Sequence, residues 1–186
     1  RDYETAGAAA ISCLTEPQFF LGKDEHLQAI STAVKLPVLR KDFIISEYQI
    51  YEAKTIGADA ALLICALLET SMIREFLDIA ASVGLDVLVE AHDESEVESA
   101  LNAGAEIIGV NNRNLKDFSV DLQNSLRLRS LVPRDKIFVS ESGITCAADI
   151  KLLRTAGVNG VLIGEMLMRS NNITLDLQRL SGEMND

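Results

Sequence analysis

Near-continuous apolar runs alternate with amphipathic segments along the whole chain, and this alternation restricts the fold more than any other feature. Apolar runs of this kind are typical of parallel strands that are buried on both faces. We predict seven strands, at residues 8–16, 37–44, 59–68, 86–92, 106–113, 136–144 and 160–167. The segments between them have a helical pattern, begin near Ser, Asp or Thr, and in several cases end at Gly. The repeating unit is therefore a strand followed by a helix.

Four of the predicted strands end on a polar or charged side chain: Lys41, Glu90, Asn111 and Glu141. Because the carboxyl ends of parallel strands meet at one edge of a sheet, these groups are expected to face one cavity, as in an active site. Each group also has a simpler interpretation. Lys41 could be a solvated loop lysine, either glutamate could form a structural ion pair, and Asn111 could make a turn.

Regular strand-helix units fit either a TIM barrel or an open doubly wound sheet. An open sheet concentrates its ligand site at one switch point, whereas here the polar groups end four strands, which favours a barrel. A complete barrel has eight units and about 250 residues, but this chain of 186 residues shows seven strands. Residues 1–6 resemble the end of a helix. We therefore expect a single α/β domain, residues 1–186, with the TIM (β/α)8 fold but without its first strand.

Charge and cysteine content exclude several classes of protein. The 28 acidic residues exceed the 17 basic residues by 11 and are dispersed, which argues against binding nucleic acid or a membrane surface. No uncharged run reaches the roughly 18 residues of a membrane-spanning helix. Cys13, Cys65 and Cys146 are far apart in sequence and form no CxxC pair, so neither a disulfide framework nor a zinc site is predicted. A cytoplasmic protein without a metal fits best.

Small residues near the last two strands predict a phosphate site. Ser142 and Gly143 follow one strand, and Gly164 follows the next. Barrel enzymes often hold phosphate with backbone amides of the loops after these strands, although each glycine alone could simply make a tight turn. Arg113 adds a bidentate donor suited to carboxylate or phosphate. His92 lies near Glu90, but a single histidine without a nucleophile or a ligand cluster makes neither a triad nor a metal site.

Seven motifs occur in the same order as in the indole-3-glycerol phosphate synthase family: AISCLTEPQFFLG, PVLRKDFI, GADAALLI, LVEAHDESE, IIGVNNRNL, VSESGI and LIGEMLM. The chain resembles that family over nearly its full length, and the resemblance implies that the family's first strand and amino-terminal helix are missing from it. The resemblance implies a TIM barrel that converts 1-(2-carboxyphenylamino)-1-deoxyribulose 5-phosphate into indole-3-glycerol phosphate, with loss of carbon dioxide and water. It implies no cofactor, and a small phosphorylated molecule as the substrate.

The resemblance also implies roles for individual residues. Lys41 matches the catalytic lysine, Glu90 matches the carboxylate that works at the dehydration step, and Asn111 and Glu141 match groups that orient the substrate. The expected substrate-binding residues are Phe20, Phe43, Leu62, Arg113, Leu115 and Ile163. The expected phosphate-binding residues are Ser142, Gly143, Gly164 and Glu165. An acidic side chain at position 165 must point away from a phosphate that is held by backbone amides.

Alternatives to this function remain at this point. The chain could be an inactive or partial barrel that keeps a phosphate site. It could also be another phosphate-binding barrel enzyme such as phosphoribosylanthranilate isomerase, although the Cys and Asp pair expected of that enzyme does not stand at the matching strand ends. A barrel without its first strand has two unpaired edges, and exposed edges recruit other chains. We therefore expect the chain to self-associate.

Overall fold

The structure, a computed structural model, describes residues 1–114 and 117–182. Seven parallel strands form one sheet in which each strand pairs with the next along the chain. They are β1 Ile11–Leu14, β2 Val38–Lys41, β3 Ala60–Ile64, β4 Asp86–Ala91, β5 Ile107–Asn111, β6 Ile137–Glu141 and β7 Gly160–Leu162. The α-helices are α1 Asp2–Thr5, α2 Asp24–Ala33, α3 Glu47–Thr55, α4 Thr70–Ser82, α5 Glu94–Ala103, α6 Gln123–Arg129, α7 Ala147–Ala156, α8 Glu165–Met168 and α9 Ile173–Ser181.

Alternate residues along each strand point to opposite faces of the sheet, and this alternation separates the core from the site. On β4, Val87 and Val89 pack into the main core with helix residues such as Ile73 and Phe76 of α4. Leu88 points the other way, into a smaller apolar cluster that includes Leu39, Leu62 and Ile64. Burial of each such side chain contributes about 1.5–3 kcal/mol. The inner cluster forms the floor beneath the polar strand ends.

Several of the predicted helices begin and end at the chemical signals seen in the sequence, whereas α2, α4 and α6 begin after Lys23, Glu69 and Leu122 without a side-chain cap. Ser46 makes a capping box with Gln49 at the start of α3, and Asp93 accepts a hydrogen bond from the backbone N–H of Glu96 at the start of α5. Gly104 and Gly157 end α5 and α7 with φ angles of 95° and 84°, in the left-handed region that favours glycine. These caps fix where each helix returns the chain to the sheet.

All seven strands are shorter than the apolar runs that predict them, and two of these runs continue as helical turns. The run 59–68 forms β3 only as far as Ile64 and continues as a 3-10 helix, Cys65–Leu67. The run 160–167 forms β7 only as far as Leu162, and its second half is α8. An apolar run cannot by itself separate a buried strand from a buried helical turn, since both remove the same side chains from water.

The sheet stays open among the described residues. β1 pairs with β2 and β7 pairs with β6, but no pairing joins β1 to β7. The sheet is therefore a parallel, barrel-like wall with two free edges. None of the described helices is long and apolar enough to cross a membrane.

Candidate active site

The ammonium group of Lys41 lies between two buried carboxylates. Lys41 is the last residue of β2, and its Nζ lies 2.9 Å from Oε2 of Glu90 and 3.4 Å from Oε2 of Glu141. Glu90 lies near the end of β4 and Glu141 is the last residue of β6. Both carboxylates are almost fully buried, with relative exposures of 2% and 1%. The structure thus brings together three of the four predicted strand-end groups within direct contact.

Asn111 completes this cluster. It is the last residue of β5, and its Nδ2 donates a hydrogen bond to Oε1 of Glu90 at 3.0 Å. Its Oδ1 accepts from the backbone N–H of Arg113, which fixes the orientation of the amide. In the sheet, Asn111 stands beside Glu141 and Glu90 stands beside Gly109. All four predicted catalytic groups therefore occupy one edge of the sheet.

Gly109 makes room for one of the carboxylates. A Cβ at position 109 would collide with Oε1 of Glu141 and would stand 3.1 Å from Cδ1 of Leu88. Sequence reasoning missed this residue, although a glycine inside an apolar strand is a recognised sign of close approach by another group. Oε1 of Glu141 is buried and has no hydrogen-bond partner among the described residues. A buried carboxylate oxygen without a donor disfavours the ionised form of that carboxyl group.

The three charged groups have pKa values that are pushed apart. Burial raises the pKa of Glu141 to about 7, and repulsion by Glu90 adds to this effect despite the attraction of Lys41. Burial also acts to raise the pKa of Glu90, but His92, Lys41 and Asn111 outweigh it and lower that pKa to about 2. Burial acts to lower the pKa of Lys41, yet attraction by Glu141 and Glu90 raises it overall. Two carboxyl groups with separated pKa values can take the separate roles of acid and base.

The loops after β6 and β7 contain the predicted phosphate positions. Ser142 and Gly143 both have positive φ angles, 67° and 79°, and Gly164 stands immediately before α8. Ser142 is not a glycine, so its left-handed backbone is held by neighbouring contacts rather than by its own preference. Asn112 supplies one of them, because its Nδ2 donates to the carbonyl oxygen of Ser142 at 3.0 Å.

Glu165 is engaged by two arginines. Its Oε2 lies 3.0 Å from Nη2 of Arg113, and its Oε1 lies 3.2 Å from Nη2 of Arg169. The predicted carboxylate or phosphate donor, Arg113, is therefore paired with an acidic side chain of the predicted phosphate site. The two ion pairs balance the negative charge of Glu165.

Three aromatic side chains lie together after β1 and β2. The ring centroid of Phe43 lies 5.0 Å from that of Phe20 and 5.9 Å from that of Phe19, in tilted and edge-on arrangements. The segment that carries Phe19 and Phe20 is anchored by Glu16, whose carboxylate accepts hydrogen bonds from the backbone N–H groups of residues 18, 19 and 20. The sequence interpretation treated this glutamate as part of a motif and gave it no role.

The other predicted apolar contacts lie at different depths. Leu62 is buried in the inner cluster beneath the polar strand ends. Ile163 is partly buried and packs against a third apolar cluster that contains Ile144 and Leu153. Leu115 lies outside the described residues. No group of three or more His, Cys, Asp or Glu side chains in the described part of the chain could hold a metal ion.

Comparison with known proteins gives one consistent family match. Residues 1–180 match the family model described as indole-3-glycerol phosphate synthase. A protein of that name from Ruminiclostridium cellulolyticum is 60% identical over 182 residues, which is 98% of this chain and 70% of the relative. One from Endomicrobium trichonymphae is 62% identical over 179 residues, which is 96% of this chain and 69% of the relative. The chain thus spans about 70% of the length of these two curated relatives.

Solved structures also resemble the fold of the chain, at low sequence identity. A 3-hexulose-6-phosphate synthase superimposes with a TM-score of 0.75 at 14% identity, covering 99% of this chain and 92% of that one. A structure titled KGPDC from Streptococcus mutans gives a TM-score of 0.71 at 12% identity, covering 98% and 88%. These likenesses concern the fold alone. The family match and the identity to its curated members decide the assignment, and the chain belongs to the indole-3-glycerol phosphate synthase family.

Proposed function

We propose that the cluster at the carboxyl edge of the sheet carries out the synthase reaction of this family. The substrate would be 1-(2-carboxyphenylamino)-1-deoxyribulose 5-phosphate, and the products would be indole-3-glycerol phosphate, carbon dioxide and water. The observation that carries this proposal is the position of the Lys41 ammonium between Glu90 and Glu141, whose pKa values are shifted in opposite directions. A cation between a base and a carboxyl group that can hold a proton suits a sequence of proton transfers.

Lys41 acts as the acid in ring closure. The aromatic carbon that bears the carboxylate attacks the ribulose carbonyl carbon, and negative charge develops on the carbonyl oxygen. An ammonium group that stays protonated because of its two carboxylate neighbours can neutralise this charge or transfer a proton to it. Loss of carbon dioxide then restores the aromaticity of the benzene ring. Burial of the site strengthens the interaction, since little water competes with the ammonium.

Dehydration requires a base and a proton donor together. Glu90 is ionised at neutral pH because its pKa is about 2, so it serves as the base that removes a proton from the methylene carbon beside the ring nitrogen. Glu141, with a pKa of about 7, can hold a proton at neutral pH and return one to Lys41, which lies 3.4 Å away. Asn111 donates a hydrogen bond to Oε1 of Glu90, and Oε2 of Glu90 accepts a hydrogen bond from Lys41. The water molecule leaves after its oxygen receives a proton from Lys41.

The ends of the substrate would bind on different loops. Phe20 and Phe43, after β1 and β2, provide apolar walls for the carboxyphenyl ring. The phosphate would bind backbone amides after β6 and β7, at Ser142, Gly143, Gly164 and Glu165, with Arg113 close by. The catalytic groups on β4 and β5 come between these two regions in the order of the strands. The reacting carbons of the substrate likewise lie between its carboxyphenyl ring and its phosphate. Leu62 and Ile163, with Leu115 of the sequence motif, complete the proposed apolar lining.

We also propose that an additional strand closes the sheet in the full-length protein. The free edges of β1 and β7 and the 70% coverage of the first relative support this proposal. Without that strand the open edges would pair with other chains, so the 186-residue chain would self-associate. A cytoplasmic location fits the acidic composition and the unpaired cysteines. Sedimentation of the 186-residue chain as a monomer, with a melt as cooperative as that of the full-length protein, would contradict self-association.

The activity is tested with the full-length protein and its Lys41→Ala variant. Formation of indole-3-glycerol phosphate is followed by indole fluorescence from the carboxyphenylamino substrate. We expect turnover by the parent and a loss of about a thousandfold or more in kcat for the variant, in line with removal of a general acid. Lys151→Ala, which removes an exposed lysine on α7, is the matched control and should keep full activity. Equal turnover by the parent and Lys41→Ala would refute the role of Lys41.

A further inference from the structure

His92 lies between two carboxylates, directly after β4 and behind the catalytic cluster. Its Nδ1 lies 3.0 Å from Oε2 of Glu96, and its Nε2 lies 3.3 Å from Oε1 of Glu90, an ion-pair contact whose geometry falls outside that of a hydrogen bond. The same Glu96 oxygen accepts the backbone N–H of His92 at 2.7 Å, and the carbonyl oxygen of His92 accepts from Nδ2 of Asn124 at 3.0 Å. The imidazole is therefore fixed through both its ring and its backbone.

The chemistry of the two neighbours selects the protonation state of the ring. A neutral imidazole has one N–H donor and one acceptor nitrogen, so it cannot offer a donor to carboxylates on both sides. The imidazolium form offers two donors and carries the charge that both carboxylates favour. Interaction with Glu90 and with Glu96 accordingly raises the pKa of His92 to about 10 and outweighs the opposing effect of burial.

We propose that His92 is a positioning residue of the synthase reaction: Glu96 holds it as an imidazolium, and it in turn orients the Glu90 carboxylate and keeps that group in its basic form. This inference rests on the proposed function, in which Glu90 is the base. Each oxygen of Glu90 then has a cationic neighbour, since Oε2 faces Lys41 and Oε1 faces His92. His92 acts only through Glu90, because both of its ring nitrogens face carboxylates.

The other charged groups near His92 either favour its protonated form or form ion pairs with each other. The titratable groups within electrostatic reach of His92 or of its two carboxylates are Lys41 of β2, Cys65 of the 3-10 helix, Glu90 of β4, Asp93 and Glu96 of the α5 segment, and Glu141 of β6. The carboxylates favour the imidazolium. Lys41 is the one cation in this set, and its charge is balanced by Glu90 and Glu141.

The protonation state of His92 can be measured without an activity assay, because the chain contains only two histidines. In the full-length protein, His26→Gln and the replacement of any further histidines leave His92 as the single imidazole for nitrogen-15 NMR. We expect imidazolium shifts at pH 8, and in Glu96→Gln a lower pKa of the ring than in the parent, since Glu90 remains as a partner of the imidazole. Glu98→Gln, an exposed neighbour on α5, should leave the ring protonated. A neutral ring at pH 8 in the parent would overturn the proposal, whatever the turnover assay gives.

The functional consequence is a change in pH dependence rather than a loss of folding. In His92→Asn one charged partner of Glu90 is gone, so the acid limb of kcat/KM should move upward by about one pH unit while KM changes little. Glu96→Gln should move the limb in the same direction by a smaller amount. An unchanged acid limb in His92→Asn, measured on a variant whose melting temperature matches the parent within a few degrees, would also overturn the proposal.

Discussion

The carboxylate of Glu141 occupies the space that a side chain at Gly109 would need. The two residues lie on neighbouring strands, β5 and β6, and the absence of a Cβ at position 109 is what allows a buried carboxyl group to reach the ammonium of Lys41. A residue with no functional group thus shapes the catalytic cluster. The role of Gly109 can therefore be tested by substitution, like the roles of the charged residues.

Gly109→Ala should displace Glu141 and lower kcat/KM by about a hundredfold, because small misplacements of catalytic groups have effects of this size. Alanine at position 109 would meet Oε1 of Glu141 and Cδ1 of Leu88. Gly160→Ala is the control, since a Cβ there meets only Cγ2 of Val139, at an ordinary 3.8 Å. Steady-state kinetics of both variants, with circular dichroism to confirm folding, checks the prediction. Activity of Gly109→Ala equal to that of Gly160→Ala would contradict it.

Glu141 should make the free energy of unfolding depend on pH between about 4.5 and 7. Its folded pKa, about 7, is above the ordinary value of 4.5, so the folded state binds this proton more tightly than the unfolded state. The stability that it contributes is fully present below pH 4.5 and is lost as pH rises through 7, by about 3 kcal/mol in total. Glu141→Gln should therefore flatten this part of the profile.

Urea unfolding at pH 5 and pH 8 measures this effect. The parent should lose about 3 kcal/mol more than Glu141→Gln between the two pH values. Glu98→Gln, which removes an exposed carboxylate, should follow the parent. Parallel profiles for the parent and Glu141→Gln would show that the carboxyl group at position 141 has no raised pKa.

Glu16→Gln should weaken binding of the carboxyphenyl ring with little effect on the chemical step. The carboxylate holds three consecutive backbone N–H groups, and it thereby places Phe19 and Phe20 against Phe43. Glutamine keeps only one acceptor oxygen and loses the negative charge that strengthens these bonds. We expect KM to rise by about tenfold while kcat stays within about twofold. Glu25→Gln on α2 is the exposed control, and a fall in kcat without a change in KM would disprove this role.

Glu165→Gln should increase affinity for phosphate by about threefold, since it removes an exposed negative charge from the proposed phosphate site and releases Arg113. The effect should shrink as salt is added, because both groups are partly solvated. Calorimetric titration with inorganic phosphate at two salt concentrations measures it. Weaker binding by Glu165→Gln would instead indicate that the glutamate is needed to hold Arg113 in place.

Much of the fold was predictable because its signals are local. The seven strands and the caps at Ser46, Gly104 and Gly157 follow from apolar runs and from residues that favour helix ends. The strand-end positions of Lys41 and Glu141 were equally visible. The turn from β3 into the 3-10 helix could not be predicted, since it depends on packing against the neighbouring elements rather than on the apolar run 59–68.

The sequence by itself determined the family, the order of strands and helices, and the set of chemical groups at the carboxyl edge. Only the tertiary structure decided how those groups are paired. Lys41 meets Glu90 and Glu141 across separations of 49 and 100 residues, and His92 turned from an isolated histidine into the partner of Glu90 and Glu96. The pKa values of these groups depend on burial and on distances through space, and neither quantity is written in the local sequence.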